Sequence, residues 1–192
     1  MDFYYYVNIL KSRVSLARFE HSLRVVEKAV SMTEGLSLDQ EKLRLAALLH
    51  DYAKDMTEQE LLALAGQYGI IICEAEKRQP DLLHGPVGAF LCRRDLKIED
   101  EAILRAIYYH TTGSAGMSLL DKVVFLADLL EPGRTYEGVD ELRRICEDDL
   151  DEGLLAAFDG TLQYVLRRKL LIHPLTVQAR NWHLLEMDNV EE

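Results

Sequence analysis

Histidine and aspartate side chains occur in this sequence at places where an apolar core has no use for them. His50 and Asp51 directly follow the apolar run of residues 45–49, and Asp128 lies inside an apolar run of its own. Burying such groups is costly unless they are protonated, paired or bound to a metal. His21, on an amphipathic stretch, could supply a second imidazole. Two imidazoles and two carboxylates suit Fe(II), Mn(II), Zn(II) or Mg(II), so the sequence predicts a metal site.

Each of these residues has a structural alternative when it is taken alone. A partly buried histidine is often a satisfied core residue, and an aspartate in an apolar helix is often a hydrogen-bond partner between helices. The combination is more specific, because every member stands in a helical context. A metal with four protein ligands and six positions keeps room for water, which it would acidify into a nucleophile.

The elements that must position these residues are helices. Apolar residues recur at helical spacing along nearly the whole chain, which predicts one all-α domain over residues 1–192. The packed core is expected at about residues 15–182, and the acidic residues 186–192 are expected to fray. A strand-like run at 69–73 has no partner strand and is predicted to be an extended connector. Helices are predicted at about 16–30, 37–50, 57–68 with a Thr57/Glu60 capping box, after a turn at 80–86 as far as 91, and at 100–109, 118–130, 139–145, 150–171 and 177–184.

Composition and charge exclude several function classes. Among 192 residues, 33 acidic and 22 basic side chains give a net charge of −11, which disfavours a general nucleic-acid binder but permits a small phosphorylated ligand in a local pocket. The chain has no apolar run long enough for a membrane span and no recognisable signal peptide. Three cysteines without CxxC spacing argue against a disulfide framework and fit a cytoplasmic location. The run of tyrosines at 4–6 is expected to pack locally or to contact a second copy in a homodimer.

Four segments give the sequence a resemblance to a known family. The order His21, His50-Asp51, Asp128 is similar to the signature of the HD-domain metal-dependent phosphohydrolases. Within that family the sequence resembles the bacterial YqeK branch, whose members are symmetrical diadenosine-tetraphosphate hydrolases (bis(5'-nucleosyl)-tetraphosphatases). The segments are AALLHDYAKD (46–55), LLHGPVGA (82–89), YHTTG (109–113) and MSLLDKVVFLADLLEPGR (117–134).

The resemblance implies a single HD-domain helical bundle that cleaves diadenosine tetraphosphate into two ADP. It implies a divalent metal on His21, His50, Asp51 and Asp128, with iron as the first choice and manganese or another divalent ion as alternatives. An HD phosphohydrolase acting on other nucleotides, such as a deoxynucleotide or a nucleoside monophosphate, is the alternative function. A nucleotide-binding or scaffold protein without turnover is a third interpretation, which the intact ligand set disfavours.

His84 and His110 are also implied to lie in the active site. In related branches, histidines at such positions hold a second metal, whereas contact with the substrate phosphates is the interpretation favoured for this sequence. Either histidine could also donate a proton. His84 precedes a helix start, which favours anions, and His110 is followed by the hydroxyl donor Thr111. Catalytic roles are expected for Asp51, Lys54, His84 and His110.

Positive side chains are needed because attack of water on phosphorus builds negative charge on the phosphoryl oxygens. Lys54 follows Asp51 by three residues and is expected on the same side, although an ordinary surface lysine remains the alternative. Arg134 follows a Pro-Gly turn after Asp128 and could return over the metal. Asp55 could orient a ligand histidine or pair with Lys54. Substrate binding is predicted for Arg18, Lys54, His84, His110, Thr111, Arg134, His173 and Arg180.

Overall fold

Capping side chains mark where several helices begin. Asp39, Asp100 and Ser118 each precede a helix and accept hydrogen bonds from the N–H groups of its first turn. Thr57 accepts the N–H of Glu60, and the Glu60 carboxylate accepts the N–H of Thr57 at 2.8 Å, so the predicted capping box is confirmed. The first N–H groups of a helix have no intrahelical partner and need such acceptors.

The structure is a computed structural model that describes residues 2–188, and this part of the chain is helical and contains no strand. The predicted all-α fold is confirmed, and residues 69–73 form a connector. Within the same residues, no helix combines the length and the apolar character needed to cross a membrane. The helices are α1 (Phe3–Arg13), α2 (Leu16–Met32), α3 (Gln40–Leu49), α4 (Glu58–Gln67), α5 (Glu74–Arg78), α6 (His84–Leu96, after a 3-10 turn at Pro80–Leu83), α7 (Glu101–Tyr109), α8 (Leu119–Leu130), α9 (Val139–Asp148), α10 (Leu150–Arg167) and α11 (Pro174–Asp188).

Helix α3 lies at the centre of the fold. Leu43 and residues 45–49 are almost completely buried, because α1, α2, α7 and α8 all pack against this helix. Helix α2 also packs on α8, and α7 packs on α6 and α8. Each fully buried leucine stabilises the fold by about 1.5–3 kcal/mol, so the end of α3 is firmly fixed where these helices meet.

A second apolar cluster attaches the C-terminal helices to α8. The rings of Phe125 on α8 and Phe158 on α10 lie 5.0 Å apart between centroids, and Ala179 of α11 packs against the same cluster. These contacts bring the segment before α11 towards the body of the protein.

Helix α1 corrects the expectation that the core starts near residue 15. Tyr6 and Leu10 lie one helical turn apart on α1 and are buried in the main core. Tyr4 and Tyr5 are 79% and 55% exposed on its other face. Aromatic and apolar residues run almost without interruption from Phe3 to Leu10, so no helical spacing stands out, and burial against α3 is what makes this helix part of the fold.

Several predicted helix ends also differ. Helix α3 begins at Gln40 rather than at 37, because the Asp39 side chain caps it. The short helix α5 was not predicted, and α6 and α9 extend beyond 91 and 145 to Leu96 and Asp148. The helix predicted to reach 171 ends at Arg167, followed by Lys169 in the left-handed region with φ 54°.

The last helix is longer than predicted at both ends. It begins at Pro174 instead of 177, because a helix start has no need of the missing proline N–H. It continues to Asp188, so residues 186–188, which were expected to fray, are helical. The rest of the expected acidic tail, residues 189–192, lies outside the described residues.

Candidate metal centre

Helices α2, α3 and α8 bring the four predicted metal ligands together. His21 lies on α2, His50 and Asp51 directly follow the last residue of α3, and Asp128 lies in the final turn of α8. The Nε2 atom of His21 is 3.0 Å from the Asp128 carboxylate and 3.6 Å from that of Asp51. The Nε2 atom of His50 is 3.3 Å and 3.9 Å from the carboxylates of Asp51 and Asp128.

Backbone carbonyl groups fix the protonation of the histidines around this cluster. His50, His84 and His110 each have Nδ1 at hydrogen-bond distance from the carbonyl oxygen three residues earlier, at 2.7 Å for His50 and His110. Because a carbonyl can only accept, Nδ1 carries the proton in all three rings, and the Nε2 lone pairs face the cluster.

Glu131 fixes the fourth ring in the same way. Its carboxylate is 3.1 Å from Nδ1 of His21 and is itself held by Arg24 at 2.6 Å and by the N–H of Gly133 at 2.6 Å. A carboxylate behind a ligand histidine orients the ring and increases its basicity. Asp55, which could have oriented a ligand histidine or paired with Lys54, instead accepts the N–H of Ser15 at the start of α2.

The residues fit a bound cation. Among the described side chains, the buried Nε2 atoms of His21 and His50 are without a hydrogen-bond partner, although both point at carboxylates. Buried nitrogen lone pairs beside carboxylate oxygens are what a divalent metal ion binds. The cluster therefore has the donors, the tautomers and the orientation of a metal centre.

The Asp51 carboxylate is shared between two pairs of histidines. Its Oδ2 atom faces His21 and His50, whereas its Oδ1 atom is 3.2 Å from Nε2 of His84 and 3.6 Å from Nε2 of His110. The Nε2 atoms of His84 and His110 are 2.9 Å apart. Two lone pairs at this distance require a proton or a cation between them, and ligands about 2.0–2.1 Å from one ion have a similar separation.

Burial and charge perturb the titration of this centre. Burial raises the pKa of Asp51 and Asp128, but the surrounding histidines outweigh burial and hold both pKa values well below the usual range. Burial lowers the pKa of His50, yet the Asp51 carboxylate overcomes this and raises it. Burial lowers the pKa of His110 to about 4, so this ring is neutral at pH 7. The centre holds two ionised carboxylates in a buried place, which a cation would neutralise.

A model of the HD domain family matches residues 18–133, which include every member of this cluster. The chain belongs to the HD domain family. Two relatives are both named symmetrical bis(5'-nucleosyl)-tetraphosphatase. The one from Bacillus subtilis is 35% identical over 90% of this chain and 92% of its own length, and the one from Halalkalibacterium halodurans is 36% identical over 94% and 96%.

A solved structure shows the same fold. It is a protein from Clostridium acetobutylicum described as a predicted HD superfamily hydrolase involved in NAD metabolism. It is 35% identical, with a TM-score of 0.91 over 97% of this chain and 98% of that one. Membership in the HD domain family implies a divalent metal, in agreement with the cluster.

Positive and hydroxyl side chains line the rim of the metal centre. Arg18 contacts the Asp51 carboxylate at 2.6 Å, and Arg134 binds both the carboxylate and the backbone carbonyl of Asp128. The Thr111 hydroxyl is 3.2–3.3 Å from Nε2 of the His84/His110 pair. The Lys54 ammonium is 3.4 Å from Nδ1 of His84 and 2.6 Å from Asp81. All four predicted rim residues therefore lie at the cluster.

Two predicted substrate-binding residues lie elsewhere. Arg180 pairs with Asp159 at 2.9 Å between α11 and α10 and has no contact with the cluster among the described residues. His173, just before α11, is 3.6 Å from Glu76. In this structure α11 directs the Arg180 side chain to α10, and substrate binding by His173 and Arg180 stays a prediction.

Two cavities flank the metal centre. One, of about 390 Å³, lies beside Arg134 and is lined by Tyr136 and Arg143. The other, of about 230 Å³, lies between Pro86, Thr112 and His173. The sequence analysis did not predict either cavity: the larger one is lined by residues 132–143 alone, whereas the walls of the smaller one come from segments that are distant in the chain.

Proposed function

We propose that this HD domain protein is a metal-dependent symmetrical bis(5'-nucleosyl)-tetraphosphatase, a phosphoric anhydride hydrolase that cleaves diadenosine tetraphosphate into two ADP. The observation that carries the proposal is the similarity to relatives of that name over nearly the whole length of both chains. The clustering of every predicted ligand supports the same chemistry.

We assign the first metal position to His21, His50, Asp51 and Asp128. When bound there, a divalent ion supplies a Lewis acid for a phosphoryl oxygen and lowers the pKa of a water molecule. Iron is our proposed ion, with manganese as the alternative, because mixed imidazole and carboxylate ligands suit both.

We propose that His84 and His110 hold a second ion together with Oδ1 of Asp51, rather than contact phosphate. In the tautomers that the backbone carbonyls favour, the Nε2 atoms of both histidines are hydrogen-bond acceptors. Phosphate oxygens are acceptors too, so these nitrogens cannot donate a hydrogen bond to them. Metal analysis of the purified protein tests this assignment. We expect two ions per chain in the unaltered protein and one ion in His110→Ala. One ion in both proteins would favour the alternative interpretation, in which His84 and His110 contact the substrate phosphates.

The remaining side chains bind and orient the polyphosphate. Arg18 and Arg134 each use part of their guanidinium group on a carboxylate and keep N–H donors for phosphate oxygens. Lys54 adds a point charge beside His84, and Thr111 adds a hydroxyl donor. Together they neutralise the charge that builds on the phosphoryl oxygens and hold the chain of phosphates for in-line attack by water.

Product analysis tests the function. The protein, supplied with Fe(II) or Mn(II), is incubated with diadenosine tetraphosphate, and the nucleotides are separated by anion exchange. We expect ADP as the sole product, loss of turnover in Asp51→Asn, and retained turnover in the matched control Asp55→Asn. AMP plus ATP would refute the cleavage position, and turnover of mononucleotides alone would favour the alternative HD phosphohydrolase.

Location and assembly are also proposals. Three free cysteines in the described part of the chain suit the cytoplasm. Exposed aromatic residues on α10 and α11, Tyr164 and Trp182, together with Tyr4 on α1, suit a homodimer, which sedimentation would test.

A further inference from the structure

Side chains from outside helix α8 hold the carbonyl groups at its C-terminal end. The last carbonyl oxygens of a helix have no intrahelical N–H partner, and they need donors from elsewhere. The Leu129 carbonyl accepts the Tyr136 hydroxyl at 3.1 Å, and the Leu130 carbonyl accepts the Nε–H of Arg143 at 3.1 Å. This helix end carries the proposed metal ligand Asp128, so the groups that fix it also bear on the metal centre.

Arg143, on helix α9, also binds the turn that follows α8. Residues 131–134 form this turn, which the Arg134 N–H closes on the Glu131 carbonyl at 2.9 Å. The Nη2 atom of Arg143 donates to the Glu131 carbonyl at 2.9 Å and to the Arg134 carbonyl at 3.0 Å. One guanidinium group therefore joins the end of α8 to both ends of the turn.

The donors of Arg143 are used within the protein. Its Nε and Nη2 atoms bind the three carbonyls, and its Nη1 atom donates to the Asp140 carboxylate at 2.7 Å. The side chain is 23% exposed and lies in the wall of the larger cavity. A guanidinium group that is occupied in this way has few donors left for a substrate phosphate. Its contacts therefore indicate that it holds the turn rather than a ligand.

Helix α9 is itself held by a close approach to α10. Cys146 lies one turn after Arg143 on α9, and it packs against Gly153 of α10. A Cβ atom on Gly153 would lie 2.9 Å from Cα of Cys146, closer than such atoms pack in proteins. Because glycine has no Cβ, the two helices can approach, and α9 presents Arg143 to the turn from a fixed position.

The turn directs Arg134 to the metal centre. The Arg134 guanidinium binds the Asp128 carbonyl at 2.8 Å through Nε and the Asp128 carboxylate through Nη2, which leaves Nη1 for a ligand. The side chain is 35% exposed, so its surroundings hold it on one side only. Arginine recognises phosphate with a planar fork whose orientation matters. A turn that moved would therefore misplace these donors.

We propose that Arg143 is a positioning residue, which fixes the 131–134 turn so that Arg134 is directed at the phosphate chain of the substrate. The inference rests on the proposed function, in which Arg134 binds phosphate. The matched family segment ends at residue 133, before α9, and the relatives' names assign no residues.

A purely structural role is the alternative, because a cation at the C-terminal end of a helix stabilises that helix without any part in catalysis. A double-mutant cycle separates the two roles. If Arg143 acts through Arg134, replacing Arg143 should weaken phosphate binding only while the Arg134 side chain is present. If Arg143 only stabilises the fold, or if it binds phosphate itself, the effect should be the same without that side chain.

Binding of ADP to the metal-loaded protein tests the proposal without turnover. By calorimetry, Arg143→Gln should weaken ADP binding about tenfold, as expected when one charge-assisted hydrogen bond is misplaced. In the Arg134→Ala background the same substitution should change binding by less than about twofold. Urea unfolding should instead show the same loss of stability in both backgrounds, because Arg143 contacts the backbone carbonyl of residue 134, which alanine keeps.

Arg144→Gln is the matched control on the same helix. Arg144 follows Arg143, carries the same charge and pairs with Glu141 on the surface, so its replacement should leave ADP binding unchanged. Arg143→Lys keeps the charge, but one nitrogen cannot serve three carbonyls, and this variant should recover only part of the binding. If Arg143→Gln does not fold, Arg143→Lys takes its place in the cycle.

Turnover gives a second measurement of the same cycle. At saturating metal, kcat/KM for diadenosine tetraphosphate should fall about tenfold in Arg143→Gln, and by less than about twofold when Arg134 is already alanine. Saturating metal removes any contribution from a change in metal affinity.

Three results would overturn the proposal. They are a metal-loaded protein that does not bind ADP, full ADP binding in Arg143→Gln, or an equal effect of Arg143→Gln in the two backgrounds. If diadenosine tetraphosphate is not hydrolysed but ADP binding shows the expected pattern, the role of Arg143 stands and the proposed function falls.

Discussion

Helix α6 approaches the end of α7 so closely at Gly85 that a side chain has no room. A Cβ atom at this position would lie 2.7 Å from the carbonyl oxygen of Tyr108 and 3.4 Å from Nδ1 of His110. The obstacle is backbone, which cannot rotate away as a side chain can. We therefore expect Gly85→Ala to separate the first turn of α6, which carries His84, from the turn that carries His110.

The size of the effect follows from this contact. For the new Cβ atom to lie at an ordinary contact distance of 3.4 Å from the Tyr108 carbonyl oxygen instead of 2.7 Å, the two backbones must move apart by about 0.7 Å. Overpacking of this kind costs about 1–3 kcal/mol, or roughly 2–12 °C in Tm for a chain of this length. A displacement of about 1 Å in an active site can lower the rate about a hundredfold, so we expect kcat to fall about 10–100-fold.

Gly88→Ala is the matched control one turn further along the same helix. A Cβ atom there would meet Ala53 at 3.7 Å, an ordinary contact, so alanine should raise helix stability by up to about 1 kcal/mol without loss of activity. Thermal unfolding, metal content and turnover should be measured on both variants. Full activity and unchanged Tm in Gly85→Ala, or equal damage in both variants, would refute this account of the His84/His110 separation.

Three further predictions concern stability and metal affinity. Glu131→Gln should lower metal affinity about 10–100-fold, as measured with a competing chelator, because the carboxylate behind His21 is lost; unchanged affinity would contradict that role. Both Asp51 and Asp128 have lowered pKa values in the metal-free fold, so their stabilisation is present above about pH 4 and is lost as the pH falls below it. Urea unfolding at pH 7, 5 and 3 should show this loss, and Asp128→Asn should reduce it. Thr57→Ala should cost about 1 kcal/mol by loss of the cap and leave turnover unchanged.

The ligands of the centre were predictable because their own sequence neighbours reveal them. His50, Asp51 and Asp128 are polar residues in apolar runs, and that contrast is visible without a structure. Glu131 gave no such contrast, since it follows the last residue of α8 beside a Pro-Gly turn, where a polar residue is expected. Its spacing of three residues from Asp128 was the available signal, but its link to His21 depends on how α2 packs against α8.

Helix types were predictable from periodicity, whereas helix ends depended on individual caps and on packing. The start of α4 was predicted correctly, because the capping box that marks it is formed by Thr57 and Glu60, which are close in sequence. Helix α1 escaped prediction because it is stabilised by burial of Tyr6 and Leu10 against helices that come later in the chain. Residues such as His173 and Glu76 are distant in sequence, and no local pattern indicates that they share a cavity wall.

The acidic character of the whole protein and the binding of a polyphosphate are compatible because electrostatic range is short. At physiological ionic strength the Debye length is about 8 Å, so the net charge of −11 acts weakly on a ligand already inside the site. Within that range the ligand meets Arg18, Lys54 and Arg134, and the bound metal neutralises Asp51 and Asp128. Without the metal, those carboxylates repel phosphate and take up part of each guanidinium group. A bound metal would neutralise the carboxylates and leave more arginine N–H donors for the substrate, so substrate affinity should depend on the metal as strongly as turnover does.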